Sequence, residues 1–192
     1  MLMSIGIDAS YTRSGVAVAV DGEVILSFSF PRLEWNEGKK KVSESRLSFR
    51  KRFKVELENM LNDIIRDLDQ EVRVYFEPNN YQNMVALIAN AELFASIEDL
   101  FDEWDLEITL LQASKWQSAI GRKPKDVLLY SNERKPKKMP VIRYVEDVLG
   151  IDCKEKDEDG KDKIDKDGRY WYEDDIADAI VMAMFPFIVK KK

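Results

Sequence analysis

The chain has 192 residues, of which 45% are hydrophobic and 34% are charged, and its formal net charge is −6. A chain of this length can bury a substantial core, and we expect one domain spanning residues 1–192. No apolar run approaches the roughly 18 residues of a membrane span, and the opening MLMSIGIDAS lacks the basic start and cleavage site of a signal peptide. These features exclude a membrane protein and predict a cytoplasmic one.

The chain contains one cysteine, Cys153, and no histidine. A single cysteine excludes an internal disulfide and a cysteine zinc cage. The lack of histidine removes the usual general base and the commonest metal ligand. Any catalytic metal must therefore be held by oxygen atoms, which favours Mg²⁺, with Mn²⁺ possible, on carboxylates.

The first half of the chain alternates strand and helix patterns. The runs MSIGIDASY, GVAVAV and EVILSFSF predict three strands, and Asp21-Gly22 between the last two predicts a tight hairpin. Apolar residues at helical spacing predict a long amphipathic helix from about Val42 to Leu68. VRVYFE, residues 72–77, predicts a fourth strand, which the turn residues Pro78-Asn79-Asn80 end.

The second half predicts mostly helices. The segment 81–104 is apolar on more than one side, which indicates packing against the sheet and against another subunit. LEITLLQ predicts a fifth strand, and a short helix over 114–120, a basic loop, a helix over 141–149 and the exposed charged segment CKEKDEDGKDKIDKDGR follow. The closing helix is expected to end before Pro186. We find no internal repeat, and the order predicts an α/β fold with three antiparallel strands followed by parallel ones.

Two acidic residues end predicted strands. Asp8 ends the first strand and Glu77 the fourth, at the carboxyl ends where an open α/β sheet presents its binding crevice. Side-chain alternation places Asp8 on one face with Gly6, and Glu77 on one face with Tyr75. If the two strands are neighbours, the two carboxylates meet.

The closing helix carries two further acids, Asp175 and Asp178, whose spacing of three places them on one helix face. The surrounding residues, IADAIVMAMF, predict a helix buried nearly all round, with no lysine or arginine nearby in the sequence to pair the acids. An unpaired buried carboxylate costs several kcal/mol. A divalent cation shared with Asp8 and Glu77 would compensate the charge, and nucleases use two such ions about 4 Å apart to cleave phosphodiesters.

A simpler interpretation of these acids needs no metal. The acidic residues 173–175 could complement the positive end of the helix dipole, and Asp8 could begin a turn. Asp178 lies too far inside the helix to act as a cap, so this interpretation does not account for it.

The segments that carry these acids resemble a known family. GIDASYTRSGVAVAV, VYFEPNNY and DDIADAIVMA, in this order and spacing, resemble the RuvC-like Holliday junction resolvases of the RNase H superfamily, particularly their phage-borne members. LLQASKWQSAIG is similar to the family's segment after its fifth strand, so the resemblance covers most of the chain. It implies an RNase H-like mixed five-stranded sheet flanked by helices. It also implies that two Mg²⁺ ions bind the catalytic residues Asp8, Glu77, Asp175 and Asp178.

The chain departs from the family pattern at several places. Ala9-Ser10 stands where many members have Pro-Gly. The aromatic residue that the family uses to open the junction would be Tyr81, one position later than usual. The stretches 123–139 and 153–171 are predicted to be charged insertions.

Basic residues form two groups. Arg46, Arg50 and Lys54 form a stripe on the first helix, and the segment 115–143 contains nine basic residues against two acidic ones. Such groups neutralise DNA phosphates, although a solvated surface paired with neighbouring acids is the alternative, especially for the stripe. The predicted DNA contacts are Tyr81, Lys115, Arg122, Lys123, Lys125, Lys137 and Lys138, with Lys115 also a candidate to stabilise charge on the phosphate.

The resemblance implies a Mg²⁺-dependent, structure-selective DNA endonuclease, a crossover junction endodeoxyribonuclease that resolves four-way (Holliday) or branched junctions by two-metal hydrolysis. If phage-encoded, it would act in the host cytoplasm. Two nicks on a symmetric junction need two active sites, so we expect a homodimer through the 81–104 helix. The alternatives are a related nuclease acting on RNA/DNA hybrids or replication forks, an ASKHA-type ATPase or kinase fragment, and a non-catalytic DNA-binding module. Chain length disfavours the ATPase, which needs a second, similar domain.

Overall fold

The computed structural model describes residues 1–66, 71–78 and 84–190, including every side chain in these ranges except those of Arg66 and Pro124. The first half contains three long strands, a small hairpin, a helix and a further strand: β1 (Leu2–Asp8), β2 (Arg13–Val20), β3 (Glu23–Pro31), β4 (Glu34–Glu37), β5 (Lys40–Ser43), α1 (Arg46–Arg66) and β6 (Glu71–Phe76). The second half is mostly helical: α2 (Met84–Asp102), β7 (Ile108–Leu110), α3 (Ala113–Ala119), a 3₁₀ helix (Pro124–Tyr130), α4 (Met139–Leu149) and α5 (Asp174–Lys190).

The central sheet has five strands in the order β3-β2-β1-β6-β7. β1, β2 and β3 pair antiparallel, whereas β6 is parallel to β1 and β7 is parallel to β6. The predicted hairpin is confirmed, because Asp21 and Gly22 between β2 and β3 both have positive φ, 49° and 92°. The predicted mixed sheet with flanking helices is therefore confirmed.

Side-chain alternation gives the sheet two different faces. Met3, Ile5 and Ile7 of β1 point into an apolar core that includes Phe53 and Leu57 of α1 and Ile97 and Leu100 of α2. The opposite face packs against α5, and Ala17 and Ala19 of β2 join a second core with residues of α3 and α4. Within the described residues, no helix is long and apolar enough to span a membrane.

Helix α5 lies directly on β1 and β2 because glycines leave room for its backbone. A Cβ atom at Gly6 would lie 2.2 Å from the carbonyl oxygen of Ala179, and one at Gly15 would lie 2.1 Å from that of Asp175. Any side chain at either position would push the helix away from the sheet. These two glycines allow the first turns of α5, which carry the acids, to pack closely against β1 and β2.

The structure corrects the predictions for the closing helix, the first helix and the basic loop. The closing helix does not end before Pro186 but continues to Lys190. Proline removes one helical hydrogen bond, and the burial of Pro186 together with Phe187 and Ile188 against the core offsets that loss. The first helix begins at Arg46 rather than near residue 42, because residues 34–43 pair as the hairpin β4–β5. The predicted basic loop contains the 3₁₀ helix.

The charged segment before α5 is built from two turns of the same construction. In DEDGK and DKDGR, Asp157 and Asp165 each accept hydrogen bonds from the backbone N–H groups two and four residues further on, at 2.9–3.0 Å. Gly160 and Gly168 have φ near 78°. The prediction of no internal repeat therefore missed this short one, and Cys153 at the start of this segment is buried rather than exposed.

Candidate active site

The structure brings the four predicted acids to one edge of the sheet. Asp8 ends β1 and Glu77 follows β6, and these parallel neighbours pair up to Ile7 and Phe76. The Glu77 backbone N–H donates to the Ile7 carbonyl oxygen at 3.2 Å. Asp8, Glu77 and Asp175 line a cleft of about 690 Å³, and Asp178 lies one helical turn deeper, 2% exposed. Residues far apart in the sequence thus share one anionic pocket.

The pKa values show that the carboxylates act on one another. Burial raises the pKa of Asp8 well above its ordinary value, and the negative charges of Asp178, Glu77 and Asp175 raise it further, against the opposing charge of Lys138. Burial and the charge of Asp178 raise the pKa of Glu77 to about 7. The pocket therefore disfavours the simultaneous ionisation of all its acids unless positive charge enters.

Part of that positive charge comes from the residues just before α4. The Lys138 ammonium donates to Asp178 Oδ2 and lies 3.9 Å from Asp174 Oδ2, and the Lys135 ammonium donates to Asp174 Oδ1. Burial raises the pKa of Asp178, and Lys138 opposes this increase. The observation that no basic residue lies nearby in the sequence was correct, but a distant segment supplies the counter-charge.

The pocket's donor chemistry fits a divalent cation. Asp178 Oδ1 is buried and has no hydrogen-bond partner among the described residues, so one ligand atom is already desolvated and free. All the acids offer oxygen, which Mg²⁺ and Mn²⁺ prefer. In the part of the chain that the structure describes, no three acidic, cysteine or histidine side chains form a ready-made metal cage. The Lys138 ammonium lies among the acids instead and contacts Oδ2 of Asp178, which leaves Oδ1 for a cation.

Two hydrogen bonds orient the carboxylates, and the sequence analysis missed both. The indole Nε1–H of Trp116, a fully buried residue of α3, donates to Glu77 Oε2 at 3.0 Å. The Ser29 hydroxyl donates to Asp175 Oδ2 at 2.8 Å. Ser29 pairs with Gly15 across β2 and β3, so strand alternation could have indicated its face once the register was known. No local sequence signal connects Trp116 to Glu77.

The two predicted insertions contact each other and form one wall of the cleft. The Arg134 guanidinium lies 3.1 Å from the centroid of the Trp171 ring, and Lys163 lies 4.8 Å from the same centroid. Lys163 also donates to Glu155 Oε1 at 2.7 Å. Since Glu155, Lys163 and Trp171 line the cleft, the segment predicted to be merely exposed shapes the site.

The basic residues of 115–143 divide into two sets. Arg134, Lys135, Lys138 and Arg143 all pair with acids. The other set has no ion pair with any described residue and comprises Lys115, Arg122, Lys123, Lys125 and Lys137. Lys115 does not line the acidic cleft but a separate hollow beside Phe185 and Val189.

The basic stripe on α1 is partly paired with acids. On α1, Arg50 lies 3.9 Å from Glu92 and Lys54 lies 3.1 Å from Glu103, so this part of the stripe agrees with the alternative of a paired surface. Tyr81 lies outside the described residues.

Comparison with solved structures identifies the fold as RuvC-like. Thermus thermophilus RuvC in complex with a Holliday junction substrate matches with a TM-score of 0.65 at 11% identity, covering 100% of this chain and 96% of that one. A second Thermus thermophilus RuvC structure matches with a TM-score of 0.62 at 14% identity, covering 98% and 95%. The chain matches no protein-family model and no curated protein sequence. At these identities the likeness shows the fold alone, and it confirms the predicted RNase H-like fold class.

Proposed function

We propose that the chain is a divalent-metal-dependent endonuclease that cuts branched DNA, with four-way junctions as its principal substrate. The observation that carries this proposal is the convergence of Asp8, Glu77, Asp175 and Asp178 at one cleft of a RuvC-like fold. The proposal treats residues 1–192 as one nuclease domain, with the stretches 123–139 and 153–171 as insertions in it.

Within this proposal, Asp8, Glu77, Asp175 and Asp178 hold Mg²⁺ or Mn²⁺. Bound ions would stabilise the negative charge that develops on the phosphate during hydrolysis. Trp116 and Ser29 contribute by fixing the direction of the Glu77 and Asp175 carboxylates. The fixed orientation matters because misplacing a ligand by about 1 Å can cost about 100-fold in rate.

Lys138 has two successive roles in this proposal. Burial lowers its pKa, but the charges of Asp178, Asp8 and Asp174 outweigh burial and raise the pKa above the ordinary lysine value, so the side chain stays protonated. In the protein alone its ammonium compensates Asp178. Lys138 also lines the cleft, where its ammonium would donate to a phosphate oxygen of bound DNA if cations compensated Asp178 in its place.

A cleavage assay tests the proposal. Wild-type protein and the variant Asp8→Asn are incubated with Mg²⁺ and four labelled substrates: a four-way junction, a flapped duplex, a linear duplex and an RNA/DNA hybrid. We expect the wild type to cut the junction fastest and Asp8→Asn to cut none of them. Asp63→Asn is the matched control, because Asp63 is an exposed acid on α1, on the other side of the sheet.

Each contrary outcome of this assay has a distinct meaning. Unchanged cleavage by Asp8→Asn removes the site assignment. Preferred cutting of the hybrid or the flap assigns the nuclease to another substrate, and a junction that is bound but not cut indicates a binding module. If no substrate is cut, a separate assay with ATP and Mg²⁺ tests the kinase-like alternative, which ATP hydrolysis would favour.

We further propose a homodimer through α2. Met84, Leu87 and Ile88 lie exposed on this helix, and the side-chain amide nitrogen of Asn90 is buried without a hydrogen-bond partner among the described residues. Burying this surface against a second copy would remove apolar area from water and give two active sites related by a two-fold axis. Light scattering should show a dimer for the wild type and a monomer for Leu87→Asp/Ile88→Asp. A wild-type monomer on intact junction DNA would contradict the dimer.

A further inference from the structure

Two adjacent leucines on the 3₁₀ helix are the most solvent-exposed large hydrophobic side chains in the part of the chain that the structure describes. Leu128 is 75% exposed and Leu129 is 78% exposed. Single exposed apolar residues are common, but a neighbouring pair at this exposure loses favourable burial for both side chains. We refer to Leu128 and Leu129 as the leucine tip.

Cations without ion pairs lie near the leucine tip: Arg122, Lys123 and Lys137 share a groove with Leu128, and Lys125 lies on the same 3₁₀ helix. Arg122, Lys123, Lys125 and Lys137 have no ion pair with any residue in the described ranges, in contrast to the paired lysines at the acidic cleft. A groove of about 570 Å³ between α3 and the 3₁₀ helix is lined by the cations Arg122, Lys123 and Lys137, by the apolar residues Val127 and Leu128, and by two serines and a glutamine. Cations and neutral hydrogen-bond donors in one groove suit a phosphate backbone.

Hydrogen bonds fix the two sides of the groove, and one of its lining residues is next in the sequence to a residue of the acidic cleft. The Arg122 guanidinium donates to the Lys137 carbonyl oxygen at 2.7 Å, which ties the two sides of the groove together. The Lys123 backbone N–H donates to Asp126 Oδ2 at 2.6 Å and closes the start of the 3₁₀ helix. Lys137 directly precedes Lys138, whose ammonium contacts Asp178. Two consecutive residues therefore line the groove and the acidic cleft respectively.

We propose that the leucine tip packs against unstacked bases at the branch point of DNA while the four unpaired cations hold the phosphates of one arm. This inference rests on the proposed function. A linear duplex stacks its base faces and presents mainly phosphate to a cationic surface, whereas a branch point exposes base faces that apolar side chains can contact. The leucine tip would thus supply preference for branched DNA, and the cations would supply affinity for any DNA.

A binding experiment separates these two contributions. Fluorescence anisotropy measures the affinity for a labelled four-way junction and for a linear duplex of equal length, without divalent metal so that no strand is cut. The variants are Leu128→Ser/Leu129→Ser and Lys125→Gln. The matched controls are Val148→Ser, which alters a 64% exposed side chain on α4, and Lys51→Gln, which alters an exposed lysine on α1.

We expect the double leucine variant to bind the junction about tenfold more weakly and the linear duplex about equally well. Lys125→Gln should weaken both complexes by the same factor and reduce their salt dependence, and both controls should bind like the wild type. With 2-aminopurine at the branch point, wild-type binding should raise the fluorescence, and the leucine variant should not. Circular dichroism verifies that each variant is folded.

Three outcomes would overturn the inference. If the folded leucine variant binds the junction as tightly as wild type, the tip has no role in DNA binding, while cleavage by the wild type leaves the proposed function intact. If the wild type neither binds nor cuts any branched DNA, the proposed function fails and the inference fails with it. If the leucine substitutions change the oligomeric state in light scattering instead of DNA binding, the tip is a contact between copies of the chain.

Discussion

The two faces of the central sheet differ in how they use burial. On one face, Ile5 and Ile7 pack with Phe53 and other apolar residues of α1 and α2, and burial there stabilises the fold. On the other face, the same strand places Asp8 beside the acidic turns of α5, where burial raises the pKa values of the acids. A raised carboxyl pKa means that the charged form is unfavourable in the folded protein. Burial on the apolar face therefore stabilises the folded protein, whereas burial of the acids on the other face destabilises it.

The largest expected effect is on the charged face. Under the proposed function, Asp8→Asn should lower single-turnover junction cleavage by at least about 10³-fold, because the variant would lose an oxygen proposed to bind metal and its charge. The same variant should leave the melting temperature of the metal-free protein unchanged or higher, because it removes one of the mutually repelling buried charges. A cleavage time course and a thermal melt in EDTA measure the two effects. A clear drop in melting temperature would mean that Asp8 is a structural residue.

The opposite behaviour is expected on the apolar face. Phe53→Ala should lower the free energy of unfolding by about 3–5 kcal/mol, because it leaves a cavity where a fully buried ring contacts Phe30 and Phe49. Urea unfolding measures the loss, and the cleavage rate per folded molecule should stay at the wild-type level. A stability loss below about 1 kcal/mol would show that this face is not the principal core.

A smaller effect is expected at the hydrogen bond from Trp116 to Glu77, which joins a fully buried core residue to the acidic pocket. Trp116→Phe keeps a ring but removes the N–H donor that lowers the Glu77 pKa, so that pKa should rise above about 7. We expect cleavage to fall about tenfold near neutral pH and to recover at higher pH, where Glu77 ionises. The pH–rate profile should shift upward. Trp104→Phe, at the end of the apolar core, is the control, and equal shifts in both variants would contradict the assignment.

The smallest expected effect concerns pH and metal together. The Glu77 pKa of about 7 exceeds its unfolded value of about 4.3, so the folded state binds more protons between these values and stability falls as pH rises through that window. Under the proposed function Mg²⁺ would compensate the ionised acids, so it should raise the melting temperature by about 3–8 °C at pH 8 and hardly at all at pH 5. Asp8→Asn should lose this gain. Equal stabilisation at both pH values would indicate metal binding elsewhere.

Local patterns in the sequence predicted much of the fold and of the candidate site. Strand periodicity, the Asp21-Gly22 turn and helical spacing are short-range signals, and they predicted three antiparallel strands followed by parallel ones, which the structure confirms. Side-chain alternation along the strands predicted that Asp8 and Glu77 point to a shared face of the sheet. The apolar residues around Asp178 indicated that its charge needs compensation. These inferences succeed because each depends on residues within a few positions of one another.

The tertiary structure alone decided which groups meet. Lys138 reaches Asp178, Trp116 reaches Glu77, and the predicted basic cluster divides into paired and unpaired residues, none of which follows from local spacing. The extension of α5 past Pro186 likewise depends on the core that buries its last turn. The physical reason is that periodicity determines the direction of a side chain relative to its own element. The packing of whole elements determines the partner at the end of that direction, and for the acids of this chain that partner sets charge and pKa.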